Sequence, residues 1–224
     1  MIKAIIFDLD GTLIDSVDYH AEAWVKAFKK YGYDFSFDKL REQIGKDGEF
    51  IINELLPAKE AKELGTDIEE YHDKYYQENF LEQVKPFPKV KELFEAVKAD
   101  DLKIILASSA RTEMLEHYEK LLDIENLIDG ATSADDVEQS KPEPNIFQSA
   151  LEKLGDVSAK EAIVVGDSPY DTIAAGKIGL RTISVLCGGF ERETLTKAGC
   201  VAVYQDPADL QDNYPKFLDI DQVG

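Results

Sequence analysis

The sequence is poor in several kinds of residue, and each shortage excludes a class of protein. Only two of its 224 residues are cysteines, Cys187 and Cys200, and their spacing fits neither a disulfide framework nor a metal-binding motif. No apolar run approaches the length of a membrane span, and the first one, at 2–7, is too short for a signal peptide. We therefore expect a soluble, cytoplasmic protein with no membrane partner.

Positive charge is also scarce. The chain has 25 lysines and arginines against 45 aspartates and glutamates, so its formal net charge is -20. Such a surface repels nucleic acid and anionic membranes at long range, and we expect neither as a partner. An anionic substrate would need local positive charge, either a metal ion or a lysine. Apolar residues make up 44% of the chain, enough for a hydrophobic core.

Short β-branched apolar runs alternate with amphipathic stretches along most of the chain. This alternation predicts an α/β fold with a doubly wound parallel sheet. The predicted strands are 2–7, 102–107, 127–132, 161–166, 181–186 and 200–204. The predicted helices between them are 89–99, 112–122, 144–154, 170–178 and 192–198.

The region from 16 to 84 breaks this rhythm, because it has helical periodicity and no convincing strand. Its first helix is indicated by one apolar face that includes Trp24 and Phe28, and further helices are indicated around 50–55 and 68–80. Pro86 and Pro88 mark the return to the sheet. We predict an α/β core domain of residues 1–15 and 85–224 with an inserted helical cap domain of residues 16–84.

Polar side chains follow three of the predicted strands, and a lysine precedes a helix nearby. Ligands of a parallel sheet bind beyond the carboxyl ends of its strands, so these side chains are expected to meet at one edge. Each residue alone has an ordinary explanation as a turn, helix-cap or surface residue. As a set they predict a site, whose candidates are Asp8, Asp10, Ser108, Ser109, Lys141, Asp167 and Asp171.

Four segments that carry these residues resemble the motifs of the haloacid dehalogenase-like hydrolase superfamily. They are DLDGTL at 8–13, the serine after ILAS at 108, SKPEP at 140–144 and GDSPYD at 166–171, in the expected order. The helical insert after the first motif resembles the cap of the phosphoglycolate phosphatase-like and β-phosphoglucomutase-like members. The resemblance implies a Rossmann-like core and a Mg²⁺-dependent phosphatase that acts on a small phosphate monoester.

The resemblance also implies a role for each carboxylate. Asp8 would attack phosphorus and form an aspartyl-phosphate, and Asp10 would serve as general acid and then general base. Mg²⁺ would be held by the Asp8 carboxylate, the Asp10 backbone carbonyl and Asp167. Asp171 would support the metal or Lys141.

Three further side chains would hold the phosphoryl oxygens, where charge must be stabilised in the transition state. By the same resemblance these are Ser108, Ser109 and Lys141. The loop at 45–50 is the predicted cap segment that enters the site, with Lys46 as a candidate contact to an anionic substrate. Lys46 is equally well explained as an exposed lysine without a role.

A phosphomutase of the β-phosphoglucomutase type is the alternative reaction. His20 is similar to the cap histidine of that group, although its position on the face of Trp24 favours a packed histidine. The second-phosphate arginine, serine and asparagine of the mutases are missing, but Lys46 and Arg111 could partly substitute for them, so the mutase stays open. Dehalogenation is disfavoured because Asp10 is present. A phospho-accepting signalling protein, or a non-catalytic binding protein, fits less well, and monomer and homodimer both remain open.

Overall fold

The computed structural model describes residues 1–219. Six of its strands form one parallel sheet, and the other two form a small antiparallel ribbon. In chain order the strands are β1 (Ala4–Phe7), β2 (Ile14–Asp15), β3 (Lys85–Pro86), β4 (Lys103–Ala107), β5 (Gly130–Thr132), β6 (Ala162–Gly166), β7 (Arg181–Val185) and β8 (Ala202–Tyr204).

Strand β1 lies in the middle of the sheet, whose order is β5-β4-β1-β6-β7-β8. The chain winds outward from β1 in both directions, so the predicted doubly wound parallel sheet is confirmed. Phe7, the last residue of β1, pairs with Leu106 of β4 and Val165 of β6. The residues that follow these three strands therefore start from the same edge, at the point where the winding reverses.

Helices cover both faces of this sheet. In chain order the first four helices are α1 (Val17–Lys30), α2 (Phe37–Arg41), α3 (Gly48–Leu55) and α4 (Ala58–Asn79). The helices that follow β3 are α5 (Val90–Ala99), α6 (Thr112–Leu122), α7 (Asn145–Lys153), α8 (Pro169–Gly176), α9 (Arg192–Ala198) and α10 (Pro207–Asp212). Helices α5, α6 and α10 pack on one face and α7 and α8 on the other. No helix within residues 1–219 is long and apolar enough to cross a membrane.

Five of the six predicted core strands start one to three residues later than we expected, and β7 ends one residue earlier. The cause is that apolar residues just before the hydrogen-bonded part of a strand can be buried in the core without pairing with a neighbouring strand. Ile2, for example, is only 7% exposed but precedes the first paired residue of β1. The predicted helices 112–122 and 192–198 have the observed bounds, whereas α2 and α10 were not predicted.

Helices α1 to α4 occupy the predicted insert and have a hydrophobic cluster of their own. This cluster joins Trp24 and Phe28 of α1 to Ile51 of α3 and Ile68 of α4. The ribbon of β2 and β3 lies where the chain leaves the sheet domain and returns to it. Helix α4 begins ten residues before the predicted start at 68, because Pro57 precedes its first turn. The division into core and cap remains a prediction, which this separate cluster supports.

Candidate active site

Asp8 lies directly after β1 and is almost fully buried, at 4% exposure. Its two carboxylate oxygens have different partners: Lys141 Nζ donates to Oδ1, and Thr12 Oγ1 donates to Oδ2 at 2.8 Å. Lys141 is itself buried and also donates to Asp171 Oδ1 at 2.9 Å. The lysine thus reaches this edge of the sheet although 133 residues separate it from Asp8.

Asp171 is held in place by the start of α8. Its Oδ2 accepts hydrogen bonds from the backbone N–H and the hydroxyl of Ser168, and Ser168 caps the helix in return. Both oxygens of Asp171 therefore have protein partners, Ser168 on one and Lys141 on the other. This arrangement fits the support of Lys141 better than direct metal binding.

Asp167 follows β6 and is also buried, and Thr12 Oγ1 donates to its Oδ1 at 3.2 Å. Three buried carboxylates thus face one ammonium group, which leaves two negative charges uncompensated when all are ionised. Burial, only partly offset by Lys141, raises the pKa of Asp8 to about 7, and burial with repulsion from Asp8 raises the pKa of Asp167. The cluster needs a further positive charge.

The donor set fits a hard divalent cation. Oxygen atoms of Asp8 and Asp167 lie within 4.8 Å of each other, with Asp171 beside them as the support of Lys141, and oxygen is the ligand that Mg²⁺ prefers. The backbone is also shaped to leave room for the Asp167 carboxylate, since a Cβ atom on Gly188 would lie 1.7 Å from its Oδ2. Only a glycine is compatible with this approach.

Asp10 is two residues beyond Asp8 and points to a different set of partners. Its Oδ1 accepts a hydrogen bond from the Ser16 hydroxyl at 2.6 Å and lies 3.2 Å from His20 Nε2. Burial alone would raise the pKa of Asp10, but His20 and Ser16 outweigh burial and lower it. Asp10 is therefore separate from the carboxylate cluster and lies at the junction with the helical insert.

His20 begins a chain of contacts that crosses the insert. Its Nδ1 lies 3.3 Å from His72 Nε2, and His72 Nδ1 lies 3.0 Å from Asp73 Oδ1. Asp73 in turn forms an ion pair with Arg111, which follows β4, with 3.0 Å between Oδ2 and Nε. His20 also stacks on Tyr76 with ring centres 3.8 Å apart. The histidine that we interpreted as packed is thus packed and also in contact with Asp10.

Ser108 and Ser109 follow β4, but they have different surroundings. Ser108 is fully buried, and its Oγ accepts a hydrogen bond from the Ala110 N–H at 3.0 Å. An accepting hydroxyl keeps its own hydrogen for donation. Ser109 lines the cavity above Asp8, and its Oγ lies 2.8 Å from Ser140 Oγ.

A cavity of about 390 Å³ opens from Asp8, Asp10 and Lys141 towards α3 and α4. The predicted loop lines it from Gly45 to Gly48, and the Asp47 N–H donates to the Lys141 carbonyl at 2.9 Å. Gly45 has a φ of +100° and packs against Ser168, where a Cβ atom would lie 2.8 Å from Oγ. The expectation that this loop enters the site agrees with the geometry.

Residues 5–185 match the haloacid dehalogenase-like hydrolase family. The chain belongs to this family. The motifs quoted from the sequence lie within the matched range, and so does the carboxylate cluster.

Two curated relatives of this hydrolase are named as phosphatases. A phosphorylated carbohydrates phosphatase from Thermotoga maritima is 31% identical over 90% of this chain and 94% of its own length. A phosphoglycolate phosphatase from Aquifex aeolicus is 28% identical over 95% of this chain and 98% of its own. The crystal structure of a hydrolase from Pseudomonas syringae superposes with a TM-score of 0.85 at 30% identity, covering 95% of this chain and 98% of that one.

Sequence reasoning about this hydrolase missed three residues that touch the site. Thr12 was present in the DLDGTL segment but was given no role, although its hydroxyl bridges Asp8 and Asp167. His72 and Tyr76 of α4 lie four residues apart, so they project from one face of the helix. That spacing shows that they share a face, but it does not show that the face meets Asp10.

Proposed function

We propose that this hydrolase is a divalent-cation-dependent phosphatase that cleaves a small phosphate monoester through an aspartyl-phosphate on Asp8. The observation that carries the proposal is the arrangement of Asp8 between Lys141 and Thr12, at the floor of a cavity that also exposes Asp10. Both named relatives are phosphatases, which supports the same reaction.

In the first step a carboxylate oxygen of Asp8 bonds to phosphorus, and the bond between phosphorus and the alcohol oxygen breaks. Asp10 donates its proton to that oxygen, so the product leaves as a neutral alcohol. Asp10 is ionised in the free protein because its pKa is lowered. A phosphoryl dianion beside Asp10 raises that pKa again, since like charge favours the neutral carboxyl.

In the second step Asp10 accepts a proton from water, and the water oxygen bonds to phosphorus. The bond between phosphorus and Asp8 then breaks, which releases inorganic phosphate and restores the carboxylate. Lys141, with the hydroxyls of Ser108 and Ser109, holds the phosphoryl oxygens in both steps. His20 orients Asp10 through the contact to Oδ1.

Asp8 and Asp167, with the Asp10 backbone carbonyl, would hold Mg²⁺, and Asp171 would position Lys141 beside them. When bound, the cation supplies the positive charge that brings a phosphoryl dianion next to buried carboxylates. The raised pKa values of Asp8 and Asp167, caused first by burial and then by repulsion between the carboxylates, support this assignment, because a bound cation would favour the ionised forms.

A phosphomutase of the β-phosphoglucomutase type is the second candidate, favoured by the contact of His20 with Asp10. A mutase must also hold a second phosphate. The two cations considered for that role already have carboxylate partners, since Lys46 pairs with Glu54 and Arg111 with Asp73. We therefore favour water as the phosphoryl acceptor.

The proposed function is tested by following both phosphate and sugar products with purified protein and Mg²⁺. We expect inorganic phosphate from simple monoesters and none from an Asp8→Asn variant of unchanged circular dichroism. Efficient conversion of β-glucose 1-phosphate to glucose 6-phosphate with negligible phosphate release would identify a mutase instead.

A further inference from the structure

The end of the cavity away from Asp8 is lined by charged residues, most of them acidic, and their charge limits which groups the substrate can carry there. This inference rests on the proposed phosphatase reaction and concerns the alcohol part of the ester. The phosphoryl group occupies the end at Asp8 and Lys141, so the alcohol part extends towards α3, α4 and the loop after β4.

The lysine and the arginine of this wall each already pair with a carboxylate. Lys46 Nζ donates to Gln43 Oε1 at 2.6 Å and pairs with Glu54, and its side chain is only 8% exposed. Arg111 pairs with Asp73, which also accepts the His72 contact. Within residues 1–219, the cavity lining therefore offers no unpaired cation beyond the phosphoryl end to a second anionic group.

Glu69 of α4 is a half-buried acidic residue of this wall that has no protein partner among residues 1–219, as is also true of the exposed Glu113 of α6. Glu69 lines the cavity, and no hydrogen bond or ion pair joins its carboxylate to another residue between 1 and 219. It lies close to the start of α3, where a Cβ atom on Gly48 would be 2.6 Å from its Oε1. Burial, together with repulsion from Asp73 and Asp47 that Arg111 only partly offsets, raises the pKa of Glu69 to about 7.

Neither form of Glu69 supplies positive charge. The ionised carboxylate repels a second anion and accepts hydrogen bonds, and the protonated form still leaves the carboxylate of Asp47 in the cavity lining. Hydroxyl and ammonium groups of a substrate can donate hydrogen bonds to the carboxylates of this wall. A carboxylate or a second phosphate on the substrate would be left unpaired, which is costly in a partly desolvated cavity.

We propose that the substrate is a phosphate monoester whose alcohol part carries hydroxyl or ammonium donors and no second anionic group, and that Glu69 accepts those donors. Glu69 is thus a specificity-determining residue, placed on the cap side of the cavity while the chemistry takes place on the core side.

The test compares substrates of matched size that differ in this one property. Glycerol 3-phosphate is paired with 3-phosphoglycerate, and phosphoethanolamine with phosphoglycolate, and kcat/KM is measured for each with Mg²⁺. We expect each donor substrate to exceed its anionic partner by roughly tenfold or more, since juxtaposed like charges are strongly unfavourable. The two donor arms distinguish hydroxyl from ammonium recognition.

The variant is Glu69→Gln, with Glu70→Gln as the control because Glu70 is the exposed neighbour on the same helix. Glu69→Gln should reduce both ratios several-fold, mainly through KM. Glu70→Gln should leave the ratios as they are.

Two results would overturn the inference while the phosphatase reaction stands: a preference for the anionic partner in both pairs, or ratios that Glu69→Gln does not change. Absence of phosphate release from every ester, p-nitrophenyl phosphate included, would contradict the proposed function itself, and the inference would fall with it.

Discussion

The core and cap sides of the cavity are both acidic, but their carboxylates are held in different ways. On the core side, Asp8 and Asp171 share the buried Lys141 and are fixed by neighbouring parts of one sheet edge. On the cap side, Glu69 has no protein partner in the described chain, and Asp73 is paired with a half-exposed arginine. The comparison teaches that protein contacts hold the core groups in fixed positions, whereas the carboxylate of Glu69 on the cap side has no such contact.

Removal of divalent cations should have the largest effect on turnover, and it tests only the core side of the cavity. We expect chelation to abolish turnover of every ester equally, and Mg²⁺ to restore it. Binding should also stabilise the fold, by about 2.7 kcal/mol at a free Mg²⁺ concentration near 100 times Kd. Thermal unfolding measures this without any substrate. An Asp167→Asn variant should lose the stabilisation, and full activity in excess chelator would refute the cation site.

A smaller effect is expected for Asp10→Asn, which removes the proton carrier but leaves Asp8 and Lys141 in place. The loss in kcat should be roughly 10² to 10⁴ for an alkyl phosphate. Formation of the intermediate should suffer less with p-nitrophenyl phosphate, because that leaving group needs little protonation. Rapid-quench kinetics on both esters measures the difference. Equal losses in the first step would show that Asp10 does not protonate the leaving group.

Glu69→Gln should change the pH dependence of stability and so test the cap side. The folded pKa of Glu69 is about 7, against an ordinary value of 4.5. Between those values the folded state binds the proton more tightly, so this carboxyl lowers the unfolding free energy as pH rises from about 4.5 to 7. Glutamine does not titrate, and the variant should be more stable at pH 8 by on the order of 1 kcal/mol. Urea unfolding at pH 5 and pH 8 checks this, and a variant less stable at pH 8 would contradict it.

The smallest effect on stability and activity is expected from a substitution in the helical insert, remote from the cavity. Ser36 caps the short helix α2, where its hydroxyl accepts the Lys39 N–H at 3.3 Å. Ser36→Ala should lower the unfolding free energy by about 0.5–1 kcal/mol. Turnover and substrate preference should stay at the wild-type values. Altered substrate preference would show that residues outside the cavity lining also control which substrate is bound.

The core site was more predictable from the sequence than the cap site, for a physical reason. Asp8 and Asp167 follow strands, and adjacent parallel strands end together, so local pattern and sheet topology were enough to bring them together. The contacts of His72, Asp73 and Glu69 depend on how α4 packs against α1 and approaches the core. Helical periodicity reveals which residues share a face, but not what that face meets. The partner of Lys46 was equally hidden, because the path of the loop before α3 decides that Lys46 turns back to Glu54 of that helix.

The central claim is that Asp8 carries the phosphoryl group, and trapping that group tests it most directly. In Asp10→Asn the water-activating base is missing, so phospho-enzyme should accumulate during turnover of p-nitrophenyl phosphate with Mg²⁺. Acid quench and mass spectrometry of the digested protein should then locate one added phosphoryl group on Asp8, and none when Asp8 is also changed to Asn. A phosphoryl group on Ser108, Ser109 or any other residue would contradict the assignment.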